Sequence, residues 1–275
     1  MSNKLSYYQK KLNSDAIRDE FIFYLKEKLL FSDKDIYADK DRELNKKEQN
    51  LIKEFIDKKK EGVPLDYILN STKFYENDFY VDSRVLIPRP ETEILVDYVN
   101  NHSSPSMKVL DAGTGSGCIG ISIALKNPSF QVYGSDYSED ALNVALINKN
   151  NLNVDNFSLV HADWLSSFKK AYFDLIVTNP PYIADQDPHL ENLKHEPNQA
   201  LVANDNGLGD IKLIVEQSTE VLKRGGMLML EHGYQQQEEV ENIFKSNHFL
   251  DIINLKDFQE LPRICLLYTS PSPRD

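Results

Sequence analysis

The sequence predicts an α/β protein: a mostly parallel, doubly wound sheet preceded by a small helical domain. Three observations carry this. From about residue 91 onward, apolar strand-like runs alternate with helix-like segments, the pattern of a parallel sheet with crossover helices. The first of those runs ends in a glycine-rich turn, "DAGTGSG", placed between strand and helix. Residues 1–70, by contrast, carry only helical periodicity.

Taken in chain order, "SDAIRDEFIFYLKEKLLF" sets Ile17, Phe21, Leu25 and Leu29 at helical spacing, with Ser14 or Asp15 as the cap. "ELNKKEQNLIKEFIDKKKEG" repeats the pattern with Leu44, Leu51, Phe55 and Ile56, and Gly62 follows a lysine-rich end as a stop. Residues 71–90, with "STKFYENDFYVDSRVLIP", are rich in aromatic and β-branched residues around a turn-like "END" and read as a hairpin connector. Residues 91–268 are expected to form the larger, α/β domain. Its strands are "KVLDAG", "FQVYGSD", "FSLVHAD", "FDLIVTN" and "MLMLEHG". Its helices are "CIGISIALKN", "SEDALNVALINKNN" capped by Ser138, "DIKLIVEQSTEVLKR" stopped by Gly225-Gly226, and "QQQEEVENIFKSN". No internal repeat is present. "TSPSPRD", at 269–275, is a Ser/Pro tail unlike the rest, expected to be a flexible terminus or an artefact, and "CLLYTSPSPRD" is set aside from functional reasoning.

Composition narrows the classes. The chain is 275 residues long, 41% hydrophobic and 27% charged, an ordinary soluble balance. It has no long apolar run of membrane-spanning length and no apolar core behind its basic N-terminus, so neither a membrane span nor a secretory signal is expected. Its 2 cysteines, Cys118 and Cys265, lie far apart, which argues for a reducing, cytoplasmic setting. The histidines and cysteines show no ligand spacing, and no metal is expected. A net charge of −12 repels phosphate backbones and lowers the odds of a nucleic-acid substrate.

The glycine turn, Gly113 to Gly117, and Asp136 at the end of the next strand point to a nucleoside-bearing ligand, the acid being placed to take both ribose hydroxyls. Two ligand classes compete. A nicotinamide dinucleotide needs a cradle for its pyrophosphate. S-adenosylmethionine carries no phosphate, and the glycines then clear room for its amino-acid and ribose portions. Asp111, just before the glycines, favours the second, because a carboxylate there repels a pyrophosphate yet helps organise a loop near a cation.

The stretch "IVTNPPYI" decides between them. Two consecutive prolines cannot continue a central strand, so the chain turns sharply where the fourth strand ends, at the same sheet edge as the glycine loop. An amide or amino nitrogen conjugated to a π-system is a poor nucleophile, since its lone pair is delocalised. A site that accepts both of its N–H bonds returns electron density to nitrogen. The Asn179 side-chain oxygen and the Pro180 carbonyl suit that task, Pro180 and Pro181 fix the backbone in advance, and Tyr182 offers a flat face for a planar amide. The simpler alternative is a rigid turn; its pairing with "DAGTGSG" argues against it.

These residues resemble the release-factor glutamine methyltransferases, enzymes that methylate the N5 amide of the glutamine in the Gly-Gly-Gln tripeptide of class I peptide chain release factors. The resemblance spans nearly the whole chain: "GVPLDYIL", "VLIPRPETEILV", "LDAGTGSGCIGISIA", "FDLIVTNPPYI", "HEPNQAL" and "LMLEHG". "IPRPETE" is more specific than the glycine loop. The resemblance implies a Rossmann-like, class I S-adenosylmethionine-dependent methyltransferase domain, with S-adenosylhomocysteine as product. It implies that Gly113, Thr114, Gly115, Ser116, Gly117, Asp136, Trp164 and Asn179 line the cofactor pocket, and that Asn179, Pro180, Pro181 and Tyr182 hold the substrate glutamine. Trp164 follows the third strand, where adenine is expected, so a stacking role is favoured over a core role. It further implies a release factor as partner. The acidic charge and the lack of a basic recognition domain lead us to expect no direct nucleic-acid binding, and a monomer is expected. Because the corner sees only an amide, the helical domain is expected to recognise the protein substrate.

Three departures stand out: Asn70 where the family has glycine, Ala203-Asn204 where it has two glycines, and Glu260 within Asp257-x-x-x-x-x-Arg263 where it has another. Other readings are a glutamine methyltransferase acting on a ribosomal protein, a nucleic-acid adenine N6 methyltransferase with a similar Asn-Pro-Pro corner, and a non-enzymatic binding module.

Overall fold

The computed structural model describes residues 3–12, 14–39, 42–247 and 249–269. The chain divides into two compact units between Ser71 and Thr72, so the hairpin is counted with the second. Residues 270–275 of the Ser/Pro tail lie outside the described residues.

The first unit is helical. It holds α1 (Leu5–Gln9), α2 (Asp15–Leu29), a wide turn at Lys34–Ala38, α3 (Lys46–Lys60) and α4 (Leu65–Leu69). Ser14 caps α2 by accepting from the Ile17 amide at 3.2 Å, and Leu30, at φ 56°, ends it. Asn45 and Glu48 form a reciprocal capping box at α3, satisfying two donors that the first turn would otherwise leave open. Leu5, Phe21, Leu25, Ile52 and Phe55 make its core. The sequence missed α1, α4 and Ile52, and Leu51 is only half-buried.

The second unit opens with the hairpin β1 (Thr72–Phe74) and β2 (Asn77–Phe79). After α5 (Glu93–His102) the strands and helices alternate: β3 (Lys108–Ala112), α6 (Cys118–Lys126), β4 (Gln131–Asp136), α7 (Glu139–Asn151), β5 (Phe157–His161) and β6 (Phe173–Thr178). A single irregular turn, α8 (Asn204–Gly207), precedes α9 (Gly209–Val221), β7 (Leu222–Glu231), α10 (Gln237–Ser246), β8 (Phe249–Lys256) and β9 (Pro262–Thr269). The seven-stranded sheet has the order β5-β4-β3-β6-β7-β9-β8, parallel from β5 to β7 and antiparallel at β9 and β8. Consecutive residues point to opposite faces, so Val109, Leu175 and Met229 enter one apolar layer while Leu110, Ile176 and Leu228 enter the other.

The chain runs from β3 outward to β5, then returns to place β6 on the other side of β3. That reversal opens a crevice beyond the carboxyl ends of β3 and β6, where ligands of such sheets bind.

Two sequence expectations are corrected. The helix of residues 210–224 ends at Val221, not at Gly225-Gly226, because Leu222 already pairs with Phe173 in the sheet. Gly225, at φ 69°, instead sits at a register irregularity inside β7. Thr269, expected in the tail, belongs to β9, in which Cys265, Leu266 and Leu267 are fully buried. Among the described residues, no helix is long and apolar enough to cross a membrane.

Candidate active site

A cavity of about 370 Å³ lies in the crevice, and six loops wall it: the glycine turn after β3, the turns after β4 and β5, the corner after β6, the 197–200 loop, and the segment between β2 and α5.

The glycine turn is shaped by its backbone. Gly113, Gly115 and Gly117 adopt φ of 72°, 54° and 82°, a region in which side chains are strained. A Cβ at Gly113 would lie 3.0 Å from the Trp164 ring, whereas one at Gly115 would project into open space. Asp111 braces the turn from behind and does not line the cavity. Its Oδ2 accepts from the Thr114 hydroxyl at 2.5 Å and from the Gly120 amide at 2.9 Å. Burial pushes its carboxyl up to about 7.

Asp136 closes β4 and is half-buried. Oδ2 accepts from the Gly115 amide and Oδ1 from the Ser138 amide, each at 2.9 Å. Each oxygen therefore keeps a lone pair for a hydroxyl. Burial raises its pKa above the usual aspartate range. Tyr137, the next residue, is largely exposed and lines the cavity.

Trp164 sits at φ 45°, an uncommon conformation for a bulky residue. Its indole Nε1 donates to Asp210 Oδ1 at 3.2 Å, which sets the ring across from Gly113. It packs against the apolar layer that holds Leu110, Ile176 and Leu228, and it also lines the cavity.

The corner after β6 is tied to the glycine loop at its base, where the Thr178 hydroxyl donates to the Ala112 carbonyl at 2.7 Å. Asn179 and Pro181 line the cavity. Pro180 and Tyr182 are not among the lining residues; Tyr182 packs against the core and its hydroxyl donates to Glu231 Oε1 at 3.3 Å. The Asn179 Nδ2 donates to Thr92 Oγ1 at 3.1 Å, leaving Oδ1 as the acceptor not committed there. Of the residues expected at the site, Gly113, Thr114, Gly115, Ser116, Asp136, Trp164, Asn179 and Pro181 line this cavity, whereas Gly117, Pro180 and Tyr182 do not; Gly117 instead faces Ile121 and Ala145.

Sequence reasoning quoted "IPRPETE", "HEPNQAL" and "LMLEHG" without giving their residues roles. The structure supplies contacts for them. Glu196, buried, accepts from the Ile87 amide at 3.0 Å and from Arg89 Nη2 at 2.6 Å. This joins the 85–92 segment to the 196–200 loop, both of which wall the cavity. Thr92 donates to the fully buried Glu231 Oε2 at 2.6 Å. The signal was present: a glutamate ending the apolar run "MLMLE" has no water to turn to.

A family profile described as "Methyltransferase domain" matches residues 103–262. The release factor glutamine methyltransferase of Coxiella burnetii is 35% identical over 232 residues, covering 84% of each chain. That of Escherichia coli K12 is 36% identical over 212 residues, covering 76% of each. Among solved structures, a methyltransferase from Pyrococcus furiosus aligns with a TM-score of 0.55 at 15% identity, covering 72% of this chain and 91% of its own. A ribosomal protein L11 methylase from Lactobacillus delbrueckii aligns with a TM-score of 0.51 at 19% identity, covering 70% and 84%. These structural likenesses speak to the fold.

Proposed function

We propose, for a chain that belongs to the release factor glutamine methyltransferase family, that it transfers a methyl group from S-adenosylmethionine to the N5 amide nitrogen of the glutamine in the Gly-Gly-Gln tripeptide of class I peptide chain release factors. The observation that carries this reading is the orientation of Asn179. Its Nδ2 is occupied by Thr92, so its oxygen is the atom left to accept an N–H at the cavity wall.

The residues present fit the cofactor. Gly115 leaves open space where a side chain would stand, Asp136 keeps a lone pair on each oxygen, and Trp164 presents a ring. When bound, S-adenosylmethionine supplies an electrophilic methyl group and leaves as S-adenosylhomocysteine. Gly113 to Gly117 and Asp136 would hold its amino-acid and ribose portions, and Trp164 its adenine.

Asn179 Oδ1 and the Pro180 carbonyl accept the two N–H bonds of the substrate amide, drawing electron density back to its nitrogen. Pro180 and Pro181 hold those acceptors in place before substrate arrives. Tyr182 contributes its ring face only. Its hydroxyl already donates to Glu231, and burial raises its pKa, so it is not the base. None of unusual strength is needed, because a methylated amide nitrogen is acidic and sheds its proton readily.

A protein substrate also agrees with charge. The net charge is −12, and the two arginines on the cavity wall are already paired, Arg84 with Asp82 and Arg89 with Glu196.

The test is labelled methyl transfer to purified release factor, ribosomal protein and DNA in parallel, with two variants. Asn179→Ala is expected to bind the cofactor yet lose turnover by about 10² or more. Asp136→Ala is expected to lose about 1–3 kcal/mol of cofactor affinity by calorimetry. Transfer to DNA or ribosomal protein in preference to release factor overturns the substrate assignment. Turnover of Asn179→Ala within about threefold of the unaltered enzyme overturns the amide clamp.

A further inference from the structure

Glu231 ends β7 with both carboxylate oxygens out of water and each facing a hydroxyl: Thr92 at 2.6 Å and Tyr182 at 3.3 Å. Thr92, itself buried, has a second neighbour in the Asn179 side-chain amide at 3.1 Å. The three groups form a line: Asn179, Thr92, Glu231.

The placement of one proton decides the line. A threonine hydroxyl has a single hydrogen. An oxygen–oxygen contact of 2.6 Å requires a hydrogen between the atoms, and the Glu231 carboxylate has none to give once it is ionised, which burial delays to above about 7. In that state Thr92 must spend its hydrogen on Glu231. Toward Asn179 it is then an acceptor only. The carboxamide has two ends, of which only NH₂ is acceptable to an acceptor. Were the amide flipped, Asn179 Oδ1 would face Thr92 Oγ1 with no hydrogen between them, an unpaired contact in a buried setting.

We propose that Thr92 and Glu231 are positioning residues for the methyl transfer, fixing which end of Asn179 meets the substrate. Glu231 takes the Thr92 hydrogen, Thr92 takes the Asn179 NH₂, and Oδ1 is committed to the substrate N–H. The same carboxylate turns the Tyr182 hydroxyl away from the substrate, so one buried charge orients both polar side chains of the corner. Without this bias the amide of Asn179 would present a donor to the substrate amide in a large share of molecules, repelling the group it is meant to hold. This rests on the clamp reading of Asn179 given above.

The test is steady-state kinetics of the full chain on whole release factor at about pH 8.5, where Glu231 is ionised. Thr92→Val keeps the shape and removes the hydroxyl; Thr92→Ser keeps the hydroxyl. Thr92→Val is expected to lower kcat at least about tenfold, with cofactor affinity within about twofold, and Thr92→Ser to recover most of that loss. Added to Asn179→Ala, Thr92→Val is expected to cost less than about twofold more, since the group it orients is gone. Should Thr92→Val fail to fold, Glu231→Gln gives the reading: its amide offers Thr92 either a donor or an acceptor, and kcat is expected to fall at least about threefold. A fully active Thr92→Val, a serine variant as impaired as valine, or an undiminished further loss in the Asn179→Ala background overturns the relay. So does an unchanged kcat in Glu231→Gln. If Asn179→Ala itself keeps its turnover, the clamp reading fails instead, whatever Thr92 does.

Discussion

Asp111 bears on stability through its proton. An exposed aspartate titrates near ~3.9, and burial pushes this one up to about 7, with Asp136 adding to the effect. The folded form therefore holds a proton that the unfolded chain releases. The sign follows: the folded state is favoured at low pH, and each unit of rising pH between ~4 and ~7 costs at most about 1.4 kcal/mol until the folded carboxyl ionises. Glu231, also pushed up to about 7 by burial, acts in the same direction. Thermal unfolding followed from pH 5 to pH 8 is expected to show a falling Tm, and a shallower fall in Asp111→Asn, which carries no charge to bury. Equal slopes in the two proteins would remove Asp111 from this account. The residues that contact the cavity through backbone shape were legible in the sequence, because glycine, proline and a strand-ending acid announce themselves locally. The contacts of Thr92, Glu196 and Glu231 were not, although the place of Glu231 at the end of an apolar run marked it as buried. Their partners lie 87, 109 and 139 positions away, and no local pattern reports a contact at that range.

At the scale of elements, the parallel strands and their helices were read correctly because each strand is an apolar run bounded by turn residues. The antiparallel edge was not. β8 mixes Asp251, Asn254 and Lys256 into its run, and β9 begins at Pro262, which demotes a strand assignment. The departures from the family pattern have a backbone meaning. Asn70 lies at φ 56° as the C-cap of α4, and Glu260 at φ 62° in the turn between β8 and β9. Both are conformations that glycine adopts freely. Ala203, at φ −119°, needs no glycine, and the left-handed residues follow at Asp205 and Asn206. Asparagine tolerates this region and glutamate does not. Glu260 offsets little of the strain, since its contact with Lys256 at 3.4 Å is exposed. Glu260→Gly is therefore expected to raise stability by about 0.5–1 kcal/mol in chemical denaturation: relief of about 1–2 kcal/mol of strain, less the added freedom of the unfolded glycine. The Asp257–Arg263 pair that closes the same turn, at 3.1 Å, stays intact in that variant. A neutral or lower stability would mean the turn accommodates Glu260 without strain.

For the whole molecule, the open question is where specificity resides. The corner around Asn179 recognises a carboxamide, and every exposed glutamine carries one. Glycines ahead of the glutamine help, since a backbone without side chains enters a narrow pocket that bulkier residues would block, but Gly-Gly-Gln is still a short signal. The first unit has a core of its own in Phe21, Leu25, Ile52 and Phe55, contributes none of its described residues to the cavity, and leaves Leu30 and Tyr37 exposed. We propose that this helical unit recognises the body of the release factor. The second unit keeps both apolar layers of the sheet without it, so deletion of residues 1–71 is a fair test. Cofactor affinity is expected to stay within about threefold, while kcat/KM on whole release factor falls at least about tenfold, the loss of a few interface contacts. A short peptide bearing only the tripeptide is expected to be a poor substrate for both forms, since it never engages the deleted surface. A truncated enzyme that stays folded and methylates whole release factor as well as the full chain would leave the helical unit with no part in recognition.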